Sequence, residues 1–327
     1  MGFLKRTFTL LGLAGGSYIG VSSAMAARLT QTTRVRPEED PTSIGLDYED
    51  VHFSSRGGDA ELSGWFIPPE PVSHTPEPIA SGNSWIAMVN GDNTSRSDSK
   101  IGTMRIAREL HRQGFGVLML DLRGRGDSPT ELSSSGYFER LDLQGASDFL
   151  VSRGADSSRI GVLGFSLGGV VALLAGSNPN TYGAVVSDSA FADLGLMFKH
   201  SMTRFKRPLR AWLPGMEFMA RTLYRIDVRE ISPARAIAQS DTPVLIIHGE
   251  EDSEVPVEHA RLLGRAIGAS FDEIEMGQGS VWMVPDAGHT GAFRTQPKAY
   301  IEKIVKFFEL HLGAPRNSNS STVDSTE

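Results

Sequence analysis

Residues 160–169 read IGVLGFSLGG, in which a single serine, Ser166, is bracketed by glycines. The apolar run at 160–163 predicts a buried strand, and residues 167–176 predict a helix that begins directly after the serine. This G-x-S-x-G pattern is typical of a sharp strand-to-helix turn that exposes a serine hydroxyl beyond the end of a sheet. The helix N-terminus can stabilise a developing oxyanion. The pattern therefore predicts a nucleophilic serine, and the alternative interpretation is a glycine-rich turn with an incidental serine.

Short apolar runs alternate with longer helical patterns along the rest of the chain. Strands are predicted at residues 51–53, 62–67, 86–89, 117–120, 160–163, 184–187, 244–247 and 281–284. Helices are predicted at residues 101–113, 141–152, 167–176, 257–267 and 297–311. This alternation indicates the α/β class, with a mostly parallel sheet that is covered by helices on both faces. In such sheets the ligand site lies in the loops beyond the carboxyl ends of the strands.

A nucleophilic serine needs a base, and the base needs an acid that orients it. His289 lies in a loop just beyond the predicted strand 281–284 and is the predicted base. The other histidines stand at positions typical of structural or surface residues. Asp252 follows the predicted strand before that one and is the predicted acid. Asp188, which follows the predicted strand 184–187, is the alternative acid.

Four segments resemble motifs of the α/β-hydrolase superfamily in their order along the chain. They are DLRGRGDS at 121–128, GFSLGG at 164–169, HGEEDSEVP at 248–256 and AGH at 287–289. The resemblance extends from about residue 51 to residue 312. It implies an α/β-hydrolase fold with the catalytic order Ser166, Asp252, His289.

The layout is also similar to a narrower group, a bacterial branch of membrane-anchored or exported serine hydrolases. That branch is related to acylaminoacyl-peptidase and feruloyl-esterase-like proteins. The similarity lies in an N-terminal hydrophobic segment, in LDYEDV at 46–51, in GWFIP at 64–68 and in Ser95-Arg96.

The first oxyanion donor of the superfamily lies in a His-Gly-x loop, and the corresponding loop here reads NGDNTSR at 90–96. The resemblance implies that the backbone N–H of Asp92 is the first donor, with Asn93 as the alternative. The N–H of Leu167 is the second donor. Asn90 replaces the usual histidine, but backbone donors do not depend on the side chain. An ionised Asp92 carboxylate near the oxyanion would oppose its formation unless it pointed away.

The long interval after residue 187 is where the resemblance implies a small helical cap, at about 190–240. Residues 195–230 contain eight basic and three acidic residues, interleaved with methionine and aromatic residues. One interpretation is an ordinary cap with a solvated basic face. The alternative is that the basic residues meet anionic lipid or acidic substrates, while Trp212 and Phe218 line an acyl pocket.

The first 36 residues contain five basic residues and no acidic residue, and residues 7–27 carry no charge. At ~1.5 Å per residue, that uncharged run is long enough to span about 30 Å of hydrocarbon. We expect residues 1–28 to be a membrane anchor that holds the catalytic domain on the extracytoplasmic side. The alternatives are a signal peptide, cleaved near AMA at 24–26 so that the protein is secreted, and an amphipathic or buried helix. The further predicted parts are a linker at 29–50, the hydrolase domain at 51–312 and a disordered tail at 313–327.

The whole chain of 327 residues has a net charge of −7, with 40% hydrophobic and 22% charged residues, and no cysteine. This composition fits a globular domain, excludes thiolate chemistry and argues against nucleic acid as a partner. Metal-ligand, P-loop and dinucleotide motifs are missing from the sequence, so we expect no metal and no cofactor. We predict a serine hydrolase that cleaves a carboxylic ester, thioester or amide through an acyl-enzyme. The alternatives are a serine peptidase of the same fold and a non-catalytic, membrane-tethered binding protein.

Overall fold

The computed structural model describes residues 2–69, 82–129, 132–203, 211–277 and 279–313. The strands are β1 (Glu49–Ser54), β2 (Glu61–Ile67), β3 (Trp85–Val89), β4 (Gly116–Leu120), β5 (Ile160–Phe165), β6 (Ala184–Asp188), β7 (Val244–Gly249) and β8 (Val281–Val284). They form one eight-stranded sheet in the order β1-β2-β4-β3-β5-β6-β7-β8. β2 pairs antiparallel with β1 and β4. The other neighbouring strands of this sheet pair in parallel.

Helices cover both faces of this sheet. They are α1 (Gly2–Arg28), α2 (Thr103–Arg112), α3 (Glu139–Ser152), α4 (Leu167–Gly176), α5 (Leu194–Thr203), α6 (Leu213–Tyr224), α7 (Pro233–Ile237), α8 (Glu258–Ala266), α9 (Phe271–Glu275), α10 (Ala292–Thr295) and α11 (Pro297–Leu312). Trp85, Ala87 and Val89 of β3 pack in one apolar cluster with α3, α4 and α8. Ile86 and Met88 pack in a second cluster with α2 and α11. Because alternate residues of a strand point to opposite faces, the two clusters lie on the two sides of the sheet, as predicted.

Two strands extend two residues further toward the site than the sequence pattern predicts. β5 includes Gly164, which pairs with Ser187, and β7 includes Gly249, which pairs with Val284. The apolar runs end where Gly164 follows Leu163 and His248 follows Ile247, so the sequence pattern stops two residues before each strand ends. These glycines are needed where neighbouring backbone comes too close for a side chain.

The N-terminal helix α1 lies against α6 of the cap. The ring of Tyr18 stacks on the ring of Trp212, with centroids 4.7 Å apart. The Tyr18 hydroxyl accepts a hydrogen bond from the N–H of Gly215 at 3.1 Å. Ser22 and Ala26, which are four residues apart and therefore on one helix face, are fully buried. Gly215 permits this packing because a Cβ there would overlap the hydroxyl of Ser22.

This packing differs from the predicted membrane anchor at residues 1–28. In the part of the chain that the structure describes, no helix is long and apolar enough to cross a membrane. Glycines and serines dilute the hydropathy of the uncharged run, and its buried face packs on the cap. The transmembrane prediction is therefore not supported, and the packing of residues 18–28 fits the alternative of a buried helix. Of the predicted tail, residues 314–327 lie outside the described residues.

Candidate active site

Ser166 lies at the turn between β5 and α4, with backbone angles φ 53° and ψ −119°. A positive φ is rare outside glycine and costs about 1–3 kcal/mol. The turn closes because its neighbours are glycines. A Cβ on Gly164 would overlap the carbonyl of Gly168, and a Cβ on Gly168 would overlap the carbonyl of Val89. The N–H of Ser166 donates to the carbonyl of Asp188 at 2.8 Å, which ties the strained turn to β6.

The structure brings Ser166, His289 and Asp252 together, although they are far apart in the sequence. Nε2 of His289 is 2.8 Å from Oγ of Ser166, and Nδ1 of His289 is 2.7 Å from Oδ2 of Asp252. An ionised carboxylate can only accept, so Nδ1 carries the imidazole hydrogen and Nε2 accepts from the serine hydroxyl. The three residues follow β5, β8 and β7, whose carboxyl ends meet at one edge of the sheet.

Both carboxylate oxygens of Asp252 accept hydrogen bonds. Oδ1 accepts from the N–H groups of Glu254 at 2.9 Å and of Val255 at 2.8 Å, while Oδ2 faces His289. Burial raises the pKa of Asp252, but the hydrogen bonds from His289 and Val255 outweigh burial and hold that pKa below its ordinary value. Asp252 is therefore ionised at neutral pH and can orient the imidazole.

The imidazole of His289 is more basic than its burial alone would allow. Burial lowers the pKa of His289, whereas the hydrogen bond and charge of Asp252 raise it, so the pKa lies above the ordinary histidine value. A more basic imidazole is a better acceptor for a serine proton. Burial lowers the pKa of the neighbouring His248, whose Nε2 donates to the carbonyl of Val255 at 2.9 Å. His248 thus braces the loop that carries Asp252.

The alternative acid, Asp188, is fully buried and bonds to other groups. Its Oδ1 accepts from the hydroxyl of Ser189 at 2.9 Å, and its Oδ2 accepts from the hydroxyl of Tyr300 at 3.0 Å. Burial raises the pKa of Asp188 to about 6. Ser189 also accepts from the N–H of Thr290, the residue after His289, at 3.0 Å. Asp188 and Ser189 thus support the loop that carries His289. The sequence does not reveal this role, because Tyr300 and Thr290 come close to them only in the folded chain.

The loop of the predicted oxyanion donor Asp92 packs directly on the serine turn. A Cβ on Gly91 would lie 2.9 Å from Cβ of Ser166 and 3.4 Å from the backbone nitrogen of Leu167. The structure therefore brings the loop of the first predicted donor beside the second, the N–H of Leu167. The alternative donor, Asn93, has a left-handed backbone with φ 55°.

The charge of Asp92 is countered by Arg125, to which the sequence assigned no role. Nη2 of Arg125 donates to Oδ1 of Asp92 at 2.6 Å and to Oγ of Ser133 at 3.1 Å. The Arg125 side chain is only 2% exposed and also pairs with the buried Glu139 at 3.5 Å. This ion pair offsets the negative charge that would otherwise oppose an oxyanion nearby. The DLRGRGDS motif marks the loop that contains Arg125. A sequence motif, however, does not show which residue its arginine contacts in the folded chain.

Trp212 and Phe218, the predicted acyl-pocket residues, do not line the cavity that the structure shows in the cap. Trp212 stacks on Tyr18, and Phe218 is 62% exposed. A cavity of about 480 Å³ in the cap is lined by other side chains, among them Leu196 and Phe198. The structure therefore gives Trp212 and Phe218 no place in this cavity, because α1 covers Trp212 and the outer face of α6 carries Phe218.

Known proteins resemble this chain in sequence and in structure. The uncharacterized protein YqkD of Bacillus subtilis is 26% identical over 212 residues, which cover 64% of this chain and 65% of YqkD. The esterase Pf2001 of Pyrococcus furiosus matches with a TM-score of 0.65 and 21% identity, over 87% of this chain and 99% of the esterase chain. The acylaminoacyl peptidase of Pyrococcus horikoshii matches with a TM-score of 0.55 and 18% identity, over 85% of this chain and 43% of the peptidase chain. These likenesses confirm the predicted α/β-hydrolase fold.

The sequence profile of the prolyl oligopeptidase family matches residues 104–315, which is well over half of the chain. The matched region includes the serine turn, the acid loop and the histidine loop. The narrower resemblance to a membrane-anchored branch stays a prediction. The chain therefore belongs to the prolyl oligopeptidase family and is a hydrolase with the α/β-hydrolase fold.

Proposed function

We propose that the protein is a serine hydrolase that cleaves a carboxylic ester through an acyl-enzyme. In this proposal Ser166 is the nucleophile, His289 is the base and Asp252 is the acid that orients the base. The observation that carries it is the pair of hydrogen bonds, at 2.7 and 2.8 Å, that link Asp252 to His289 and His289 to Ser166. The strained turn at the N-terminus of α4 adds support, because it is the setting in which a serine acts as a nucleophile.

The proposed reaction has two steps. Oγ of Ser166 attacks the ester carbonyl carbon while Nε2 of His289 takes the hydroxyl proton, and the N–H groups of Leu167 and Asp92 stabilise the oxyanion. The carbon–oxygen bond to the alcohol then breaks, and His289 gives its proton to the departing alcohol. Water attacks the acyl-enzyme with His289 again as base, which releases the carboxylic acid and restores the serine. Asp252 stays ionised throughout and stabilises the imidazolium.

Ester hydrolysis is favoured over peptide hydrolysis by the extent of the structural likenesses. The esterase is matched over 99% of its chain, whereas the acylaminoacyl peptidase is matched over 43%. The family itself makes a serine peptidase the second candidate. Turnover of nitrophenyl esters and of aminoacyl anilides separates the two. Faster turnover of the esters supports the proposal, and a preference for the anilides would contradict it.

A fluorophosphonate probe tests whether Ser166 is a nucleophile. The wild-type protein should be labelled, and Ser166→Ala should not be labelled. Ser177→Ala is a matched control, because the Ser177 hydroxyl donates to a carbonyl within α4 and lies outside the proposed site. An unlabelled wild-type protein would contradict the proposal and favour a non-catalytic binding protein.

A further inference from the structure

A short segment after α1 binds the loop of the proposed oxyanion donor. We define the strap as residues 32–34. Oγ1 of Thr32 donates to Oδ1 of Asp92 at 3.2 Å. The N–H of Thr33 donates to the side-chain oxygen of Asn93 at 2.8 Å. Two consecutive strap residues thus hold two consecutive residues of a loop that follows them by 60 positions in the sequence.

The guanidinium of Arg125, which is itself buried, also holds Asp92. Nη2 of Arg125 donates to the same carboxylate oxygen, Oδ1, at 2.6 Å, and the buried Glu139 fixes Arg125 in turn. Nε of Arg34 donates to the carbonyl of Gly126, directly after Arg125, at 2.7 Å. The strap, the oxyanion loop and the DLRGRGDS loop are therefore bound to one another.

The oxyanion loop, residues 90–95, belongs to neither a helix nor a strand. Residues 90–95 have no ladder or helical hydrogen bonds to fix the direction of the Asp92 N–H. Asn93 adopts a left-handed backbone, which only part of the residue types tolerate. An oxyanion donor must be aimed within a fraction of an ångström to be effective. Nδ2 of Asn90 closes the base of the loop by donating to the carbonyl of Ser95 at 2.6 Å, and the bonds from the strap and from Arg125 hold its tip.

The strap is also joined to the cap through α1. Leu29 and Thr30, directly after the helix, are buried. Tyr18 and Ser22, within the helix, pack on α6. Residues 18–34 therefore form one continuous segment that contacts the cap at one end and the oxyanion loop at the other.

We propose that the strap is a positioning element for the oxyanion loop. Its hydrogen bonds to Asp92 and Asn93 aim the Asp92 N–H at the substrate carbonyl oxygen, so they raise kcat and leave KM unchanged. The strap touches no reacting atom and acts through Asp92. This inference rests on the proposed function, because it assumes an oxyanion at this place.

Two substitutions each remove one partner of a strap hydrogen bond. Thr32→Val removes the donor hydroxyl, and Asn93→Gly removes the acceptor side chain but tolerates the positive φ. We expect the double variant to lose about 10-fold or more in kcat on nitrophenyl acetate, with KM within about twofold, since losing a whole oxyanion donor costs ~100- to 1,000-fold. Its affinity for a trifluoromethyl ketone, which forms an oxyanion adduct with serine, should fall in parallel with kcat/KM. Thr32→Ser should retain wild-type values.

Thr42→Val is the matched control, because the Thr42 hydroxyl bonds Asp40 and not the oxyanion loop. It should leave kcat and inhibitor affinity at wild-type values. Strap variants that unfold at a lower temperature but keep both kcat and inhibitor affinity would overturn the inference. If the double variant does not fold, Thr32→Val alone decides by the same two readouts. A wild-type protein without fluorophosphonate labelling would overturn the proposed function and this inference together, whereas labelled, fully active strap variants would overturn this inference alone.

Discussion

The proposed base, His289, is oriented by one oxygen of the Asp252 carboxylate, while the other oxygen accepts from two backbone N–H groups. In the proposed mechanism Ser166, His289 and Asp252 act as a unit. Ser166→Ala and His289→Ala should therefore each lower kcat by at least ~10,000-fold. The double substitution should cost about as much as either single one. Initial rates with nitrophenyl acetate measure these losses. Losses that multiply in the double variant would contradict a shared role.

The pH dependence of kcat/KM reports on the pKa of His289 and on the influence of Asp252 on it. The base must be neutral to take a proton, so activity should rise with pH along a limb whose midpoint lies above the ordinary histidine pKa of about 6.5. Asp252→Asn removes the charge that raises the pKa of His289, and burial then lowers it. The midpoint should therefore move to lower pH while the maximal rate falls.

Asp188→Asn is the matched comparison for that profile, since Asp188 is a second buried carboxyl near the histidine loop. Its oxygens bond to Ser189 and Tyr300, so its substitution should shift the midpoint less and cost less activity than Asp252→Asn. A larger effect at Asp188 than at Asp252 in the pH–rate profiles would make Asp188 the acid.

Two elements, β5 and α4, come so close at the serine turn that positions 164 and 168 have no room for a side chain. A Cβ on Gly168 would overlap the backbone of β3, which cannot move without disturbing the centre of the sheet. Gly168→Ala should therefore lower the free energy of unfolding in urea by about 2–3 kcal/mol. Gly20→Ala in α1 is the control, because nothing lies within 4 Å of a Cβ there. Gly20→Ala should be neutral or stabilising by up to about 1 kcal/mol, and equal effects at the two positions would refute the steric argument.

The contact between α1 and α6 is centred on the stacked rings of Tyr18 and Trp212. Aromatic pairs of this kind contribute about 0.5–1.5 kcal/mol beyond the area they bury. A double-mutant cycle with Tyr18→Ala and Trp212→Ala should give a coupling free energy in that range when unfolding in urea is measured. Tyr18→Phe keeps the ring and removes the hydroxyl, which accepts from the N–H of Gly215 and donates to the carbonyl of Ala211, so it separates stacking from hydrogen bonding. Additive single-variant effects would mean that the rings do not interact in solution.

Across the whole molecule, sequence predicted best those features that are encoded locally. The serine turn needs glycines on both sides, and Asp252 and His289 directly follow strands whose apolar runs are easy to recognise. The topology of a parallel sheet then places such residues at one edge. The sequence alone is therefore enough to predict that Ser166, Asp252 and His289 lie together.

Features that depend on a distant partner could not be predicted in this way. Nothing in the sequence around Asp92 shows that Arg125 neutralises it, because the pair forms only when two loops meet. Hydropathy likewise cannot distinguish a helix that enters a membrane from one whose face packs on a cap, so the predicted transmembrane anchor at residues 1–28 is not supported by the structure. The extracytoplasmic location remains a prediction, which protease access in intact cells would test.

Stepwise truncation tests how the N-terminal segment serves the whole protein. The described contacts with the cap begin at Tyr18, so deletion of residues 1–17 should leave the unfolding temperature and kcat near wild-type values. Deletion of residues 1–28 removes the helix face that packs on α6 and should lower the unfolding temperature, with the hydrolase still active. Deletion of residues 1–36 also removes the strap and should lower kcat further, because the oxyanion loop loses two of its hydrogen bonds. Thermal unfolding and nitrophenyl acetate turnover of the three proteins measure both effects, and an equal kcat for the last two would show that the strap does not act on the loop.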